Sequence, residues 1–288
     1  MRGTLLCKEP MSLHTSLKVG GPADLYAVPE DVEDLQSLLS WLTGRNIPWL
    51  TIGRGYNLLV LDTGIHGAVI SLERFNRVTA EGNERIMAEA GAENLAVVRC
   101  AQGLGLGGIG FISGIPGTIG GAIKMNAGAY GEGILDRTEC LTLMRGGIVA
   151  DFRMKELDYG YRHLRLEEGD LILAATFRLE KRAADQTEEE IRKDLELRRS
   201  KHNVGFPSAG SFFKNPPKQA AWRLIDTAGM RGAKLGGAQV SPVHSNFLVN
   251  TGGATAQDFI DLATTVKNAV FVTTGVTLEE EVRIVGEL

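Results

Sequence analysis

At 288 residues, 43% of them hydrophobic and 23% charged, the chain has the length for two domains or three small ones with real cores. A formal net charge of -4 and the lack of any Lys/Arg block argue against a nucleic-acid partner. No charged n-region leads into an apolar h-region at the N-terminus, so the expected location is the cytoplasm.

In chain order, a short strand is expected at 25–28, a helix from Asp31 and a strand at 47–52. The helix places Val32, Leu35, Leu38, Leu39 and Leu42 on one face and stops at Gly44, which makes a β-α-β unit. GRGYN (53–57) follows, a glycine turn at a strand end where backbone N–H groups can hold a phosphate. Strands at 68–72, 86–89, 140–144 and 171–179 alternate with a helix near residue 95, an α+β pattern rather than a doubly wound one. Residues 181–202 are dominated by mixed charge and predict a solvated surface helix, with Thr187 and Glu190 as its capping box. The last hundred residues form their own unit, with helices at about 218–228 and 256–270 and strands at 247–250 and 282–285.

The most informative stretch runs from Gly103 to Gly133, with 12 glycines in 31 residues. Glycine that dense brings backbone close to something, and successive N–H groups form a concave nest for an anion, so a dinucleotide cofactor is expected. Three other readings compete. Cys100 to Ile123 is 24 residues without a charge, but its nine glycines and Pro116 give too little transfer energy for a membrane span. Gly105, Gly107 and Gly110 match GxGxxG, yet a helix and not a strand precedes them, against a Rossmann fingerprint. A structural glycine loop stays open. Cys7, Cys100 and Cys140 lack CxxC spacing and read as buried small hydrophobes, and the five histidines lack HxH and HExxH, so no metal is expected.

Several blocks in order carry a resemblance: TSLKVGGPADLYAVP (15–29), GRGYNLLV (53–60), SGIPGTIGGAIKMNAGAYG (113–131), YGYRHL (159–164), SAGSFFKNP (208–216), VSPVHSNFLVN (240–250) and LEEEVRIVG (278–286). In these the chain resembles the UDP-N-acetylenolpyruvoylglucosamine reductases of peptidoglycan precursor synthesis, a pathway tied to cell shape and division. It looks like the short branch without the inserted tyrosine loop. The resemblance implies an α+β fold: a two-lobed flavin-binding architecture of the vanillyl-alcohol oxidase type, then a C-terminal α+β substrate-binding domain. Lobe 1 would span 1–67, lobe 2 68–181 and the substrate domain 182–288. It implies bound FAD, NADPH as co-substrate and a nucleotide-sugar substrate, and leaves the oligomeric state open.

By the same resemblance, FAD would be held by Gly53, Arg54, Gly55, Tyr56, Asn57, Ser113, Gly114, Gly117, Thr118, Gly120, Gly121 and Asn126. Arg162 would pair with the substrate carboxylate, Ser211 would donate a proton to C2, and Glu281 would assist enolate stabilisation or protonation. Tyr130, Lys214, Asn215 and Arg283 are the candidate substrate contacts. Taken without the resemblance, Arg162 reads as an exposed arginine on a β-rich turn, Ser211 as a loop serine and Glu281 as part of a solvated acidic run. A period-two strand over 280–285 would point Glu281 and Arg283 one way and pack Val282 and Ile284 in the core. The chain departs from the family pattern at Tyr56, where serine is usual, at His14, where asparagine is common, and at Leu164, where serine is common. Two other functions remain: a flavin oxidase of the same fold acting on an alcohol or lactone, and a non-catalytic flavin or nucleotide-sugar sensor.

Overall fold

The computed structural model describes residues 1–129, 131–202 and 204–286, with side chains left aside at 197–202. The chain divides into two compact units, each assembled from separate stretches. The first comprises Met1–Leu5, Tyr26–Gly53 and Val69–Arg198, and the second Leu6–Leu25, Arg54–Ala68 and Arg199–Leu288.

The first unit is built on an antiparallel five-stranded sheet in the order Ile148–Arg153, Thr138–Arg145, Leu171–Arg178, Arg85–Glu89, Val78–Ala80. Its middle strand is buried at seven of eight positions, while Ile148–Arg153 at the edge is mostly exposed. That is why the apolar run at 171–179 is legible from sequence and the exposed edge strand is not. Helices α1 (Val32–Thr43), α2 (Asn94–Gly103) and α3 (Ile119–Lys124) belong to this unit, as does α4 (Ala184–His202) as far as Arg198. Helix α3 packs on the middle strand and α2 on Arg85–Glu89. Val97, Val98, Ala101, Ile119 and Ile123 lie in the core with Ile86, Leu141, Ala175 and Phe177.

Helix α1 begins and ends as its sequence dictates, with the Asp31 carboxylate accepting from the Asp34 N–H at 3.0 Å and Gly44 closing it. The strands it joins, Pro22–Val28 and Trp49–Ile52, are not neighbours: Ile65–Ser71 lies between them in a sheet whose outer strand is Thr4–Pro10. Helix α4 starts three residues before the expected capping box. Thr187 is buried inside it, its hydroxyl donating back to the Ala183 carbonyl at 3.4 Å, and Glu190 pairs with Arg182 instead of capping. The cysteines also differ from expectation, Cys7 being exposed and Cys100 and Cys140 half-buried, since Cys7 sits on an outer strand. No helix among the described residues is long and apolar enough to cross a membrane.

In the second unit an antiparallel sheet runs in the order Ser208–Ser211, Phe247–Asn250, Ala238–Val240, Lys234–Leu235. Helices α5 (Ala221–Thr227) and α6 (Ala256–Thr274) pack on each other, and α6 covers the sheet. Phe259, Leu262, Ala263, Val266 and Val270 form the buried stripe of α6 at helical spacing. Its N-terminus is closed twice: Thr255 and Asp258 form a capping box, and the Asp62 carboxylate accepts from the Ala256 and Gln257 N–H groups at 2.9 and 3.0 Å. Arg283–Val285 pairs in parallel with Leu58–Val60. This strand is shorter than expected, and although Val282 is buried, Ile284 is exposed, because a two-strand pair covers only one side.

Asp34 anchors the start of the first unit. Its buried carboxylate accepts the N–H groups of Arg2, Gly3 and Glu30 at 2.7, 2.8 and 3.0 Å. Burial works to raise its pKa, but the Arg2 and Gly3 donors outweigh burial and hold it below the ordinary carboxylate value. Asp34→Ala is expected to cost about 2–3 kcal/mol, read as a lower urea midpoint at pH 7. The parent's advantage is present above the unfolded-state pKa of about 4 and fades as pH falls through the lower folded value.

Candidate active site

The glycine-rich turn of the first unit lies against the connection between the Arg85–Glu89 strand and α2. The Gly120 and Ile119 N–H groups donate to the Ala90 and Ala92 carbonyls at 2.7 and 2.9 Å, and the Asn94 N–H donates to the Gly117 carbonyl at 3.2 Å. Gly53 is brought to the same place, where a Cβ would stand 2.5 Å from the Thr118 hydroxyl oxygen. The Thr118 side chain thus fills the space that a side chain at position 53 would need. Gly114 and Gly121 lie within the same turn and the first turn of α3.

Among the described residues, two polar atoms in this region have no hydrogen-bond partner. Ser113 Oγ and Asn94 Oδ1 are both buried and unbonded, although Asn94 Nδ2 donates to the Ile115 carbonyl at 2.9 Å. A buried unsatisfied acceptor costs about 1–3 kcal/mol, so a water or a bound molecule is expected to satisfy these atoms. The region therefore fits a polar cofactor of dinucleotide type. Asn94 escapes a motif search because it lies outside the glycine run; its only signal is a carboxamide in the first turn of an apolar helix.

Arg162 occupies the turn between the short paired strands Tyr159–Gly160 and His163–Leu164, half-buried and with φ +55°. Nη1 donates to the Asn126 carbonyl at 3.2 Å and Nη2 to the Gly128 carbonyl at 3.0 Å, with the guanidinium 5.1 Å from the Tyr161 ring centre. Asn126, expected as a cofactor contact, spends its buried carboxamide within the protein: Nδ2 donates to the Gly160 carbonyl at 2.8 Å and Oδ1 accepts the Leu135 N–H at 3.2 Å. Tyr130 lies outside the described residues.

In the second unit, Ser211 and Glu281 fall on adjacent segments. The Phe212 carbonyl accepts the Glu281 N–H at 2.8 Å and the Val282 N–H at 3.3 Å, and the Lys214 N–H donates to the Glu279 carbonyl at 2.9 Å. Phe212 and Phe213 are buried beneath, ring centres 5.2 Å apart and edge to face. Buried Asn246 clamps this crossing, accepting the Phe213 N–H at 3.0 Å and donating to the Phe213 carbonyl at 2.8 Å. It too went unread in the sequence, being one more polar residue before an apolar strand.

The other half of GRGYN reaches the same crossing. Asn57 Nδ2 donates to the Glu281 carbonyl at 3.0 Å, and the Arg283 N–H donates to the Asn57 carbonyl at 3.1 Å. Gly55 has φ +63°, and a Cβ there would strike the His14 carbonyl at 2.2 Å; its own carbonyl accepts from the Ser16 N–H and hydroxyl, each at 3.1 Å. Arg54 and Tyr56 flank it, Tyr56 exposed. Lys214 pairs with Glu279 at 3.3 Å on the surface, an interaction of at most about 1 kcal/mol that an anionic ligand can replace. Asn215 is exposed, and its Oδ1 accepts the Ala221 N–H at 3.0 Å at the start of α5. Arg283 is exposed. Ser211, Lys214, Glu281, Asn57 and Arg283 are thus brought together, as are Gly53 and the 113–121 turn, and separately Arg162 and Asn126.

Residues 201–285 match the model of the UDP-N-acetylenolpyruvoylglucosamine reductase C-terminal domain, and residues 23–152 match an FAD binding domain. The chain is 73% identical over 287 residues to the UDP-N-acetylenolpyruvoylglucosamine reductase of Pelobacter propionicus, covering 100% of this chain and 97% of that protein. It belongs to the UDP-N-acetylenolpyruvoylglucosamine reductase family. The Geobacter metallireducens reductase is 54% identical over 100% of this chain and 96% of its own length. The crystal structure of the Thermus caldophilus reductase superposes with a TM-score of 0.85 at 32% identity, covering 99% of both chains. The α+β class and the flavin-binding architecture followed by a reductase C-terminal domain hold. Arg162 lies between the stretches that the two family models match, so its neighbourhood must be argued from its own contacts.

Ser113→Ala separates cofactor from fold. Removing a buried hydroxyl that no protein atom satisfies is expected to leave the apoprotein as stable as the parent or about 1 kcal/mol more stable. The same change should weaken FAD about tenfold. Urea unfolding of the apoprotein and fluorescence titration with FAD measure the two effects.

Proposed function

We propose that this chain carries out the family's reaction: NADPH-dependent reduction of UDP-N-acetylglucosamine enolpyruvate to UDP-N-acetylmuramate, a step in peptidoglycan precursor synthesis in the cytoplasm. The observation that carries the reading is the crossing of the Ser211 and Glu281 segments through the Phe212 carbonyl, together with family membership over the whole chain. FAD, when bound, would supply the hydride chemistry that links NADPH to the enolpyruvyl double bond. Gly53, Arg54, Gly55, Tyr56 and Asn57 would hold it with Ser113, Gly114, Gly117, Thr118, Gly120 and Gly121, and the unsatisfied Ser113 and Asn94 oxygens support that placement.

The protein's own residues then meet three requirements. Hydride addition at C3 leaves negative charge on C2 and the adjoining carboxylate, so the charge must be stabilised as it develops. Arg162 offers a planar guanidinium that holds both carboxylate oxygens. Ser211 delivers the proton to C2. A serine is a weak acid, but an enolate carbon is a strong enough base to take its proton, and Glu281 assists from the neighbouring segment. Lys214, Asn215, Arg283 and Tyr130 are proposed contacts to the nucleotide sugar, Lys214 exchanging Glu279 for a diphosphate oxygen. Residues 1–67 and 68–181 would supply the two flavin lobes and 182–288 the substrate domain.

The test is anaerobic flavin absorbance. NADPH should bleach the parent, and the enolpyruvyl substrate alone should restore the colour. Recovery only on admitting oxygen would indicate an oxidase instead, and a flavin that binds without bleaching would indicate a sensor. Ser211→Ala should bleach at the parent rate and recover about 10² to 10⁴ times more slowly; equal recovery would remove Ser211 from the reaction.

A further inference from the structure

Both Arg162 and Asn126 hold left-handed backbone, at φ +55° and +41°. A side chain at such a φ costs roughly 1 kcal/mol or more and persists where the surroundings enforce it. Here each residue enforces the other. The Arg162 guanidinium donates to the Asn126 and Gly128 carbonyls, while the Asn126 carboxamide donates to the carbonyl of Gly160, two residues before Arg162. The same carboxamide accepts the Leu135 N–H, which fixes it to the turn at Ile134–Arg137. Gly133 closes over it, since a Cβ there would lie 2.7 Å from Asn126 Oδ1. Asn126 is buried, and its bond to the Leu135 N–H is shielded from bulk water.

We propose that Asn126 is a positioning residue for Arg162, its carboxamide setting the hairpin and its main-chain carbonyl aiming the guanidinium at the substrate carboxylate. This rests on the role assigned to Arg162 above. It gives Asn126 a task different from the cofactor contact expected from the sequence. The two carbonyls fix the direction of the fork.

Two variants of the FAD-loaded enzyme divide the contacts. Asn126→Gly keeps the left-handed backbone and loses both side-chain bonds; Asn126→Asp keeps an acceptor for Leu135 and loses the donor to Gly160. Stopped-flow absorbance follows flavin reduction by NADPH, then reoxidation by UDP-N-acetylglucosamine enolpyruvate at saturating concentration, with Arg162→Ala in parallel. For both Asn126 variants, reduction is expected within about twofold of the parent and reoxidation about 10- to 100-fold slower, the scale of a misplaced catalytic group. A purely structural role would move both phases together or neither. Reoxidation at the parent rate while Arg162→Ala is impaired overturns the inference and leaves the function standing. An unimpaired Arg162→Ala overturns the role of Arg162 and the inference with it. Loss of FAD or slowed reduction in Asn126→Gly also overturns it, placing Asn126 with the cofactor or the fold.

Discussion

Backbone that leaves a ladder and goes into the interior still has to find hydrogen-bond partners, and in this chain buried carboxamides and carboxylates supply them. Asn246 satisfies both main-chain groups of Phe213, Asn126 those of Gly160 and Leu135, and Asn250 donates to Leu17 while accepting Gly252. Buried Asp34 gathers three N–H groups, and exposed Asp62 caps two at the start of α6. Most of these bonds reach a segment distant in sequence, so they decide how a loop lies as well as how stable it is. The chemistry-bearing residues sit beside these clamps because loops that present side chains cannot be paired as strands.

The clamps also account for the backbone conformations at the site. Arg162 lies in a region of φ that favours glycine or asparagine, and two carbonyls and a hairpin hold it there. Ser211 ends a strand whose pairing with Phe247–Asn250 is irregular, so the chain turns off the sheet toward the Glu279–Glu281 segment. Irregularity of this kind shifts side chains off the regular period-two pattern. Charge contributes less. Many of the ion pairs are exposed, as Lys214 with Glu279 is, and pairs of that kind hold geometry weakly.

Much of the fold was legible. Helix α1 showed its face and both ends, the buried strand at 171–178 showed as an apolar run, and 247–250 appeared with its true bounds. The edge strand Ile148–Arg153 went unseen because its exposed residues carry no alternation, and Thr187 was misread as a cap because a threonine before a glutamate looks alike inside a helix and at its start. The 280–285 strand failed at Ile284, where a two-strand pair leaves one side open.

What the sequence by itself determined is chemical and local: a glycine-rich run, an arginine, serine and glutamate in ordered motifs, and with them the family. These depend on residue type and short spacing, which a linear reading preserves. Only the tertiary structure decided which loops cross. The meeting of Ser211 with Glu281 through Phe212, of Asn57 with Arg283, and of Asn126 with Arg162 each joins residues dozens to hundreds of positions apart. Such pairings are set by which buried polar groups can satisfy one another once the core has closed, and no local pattern encodes that choice.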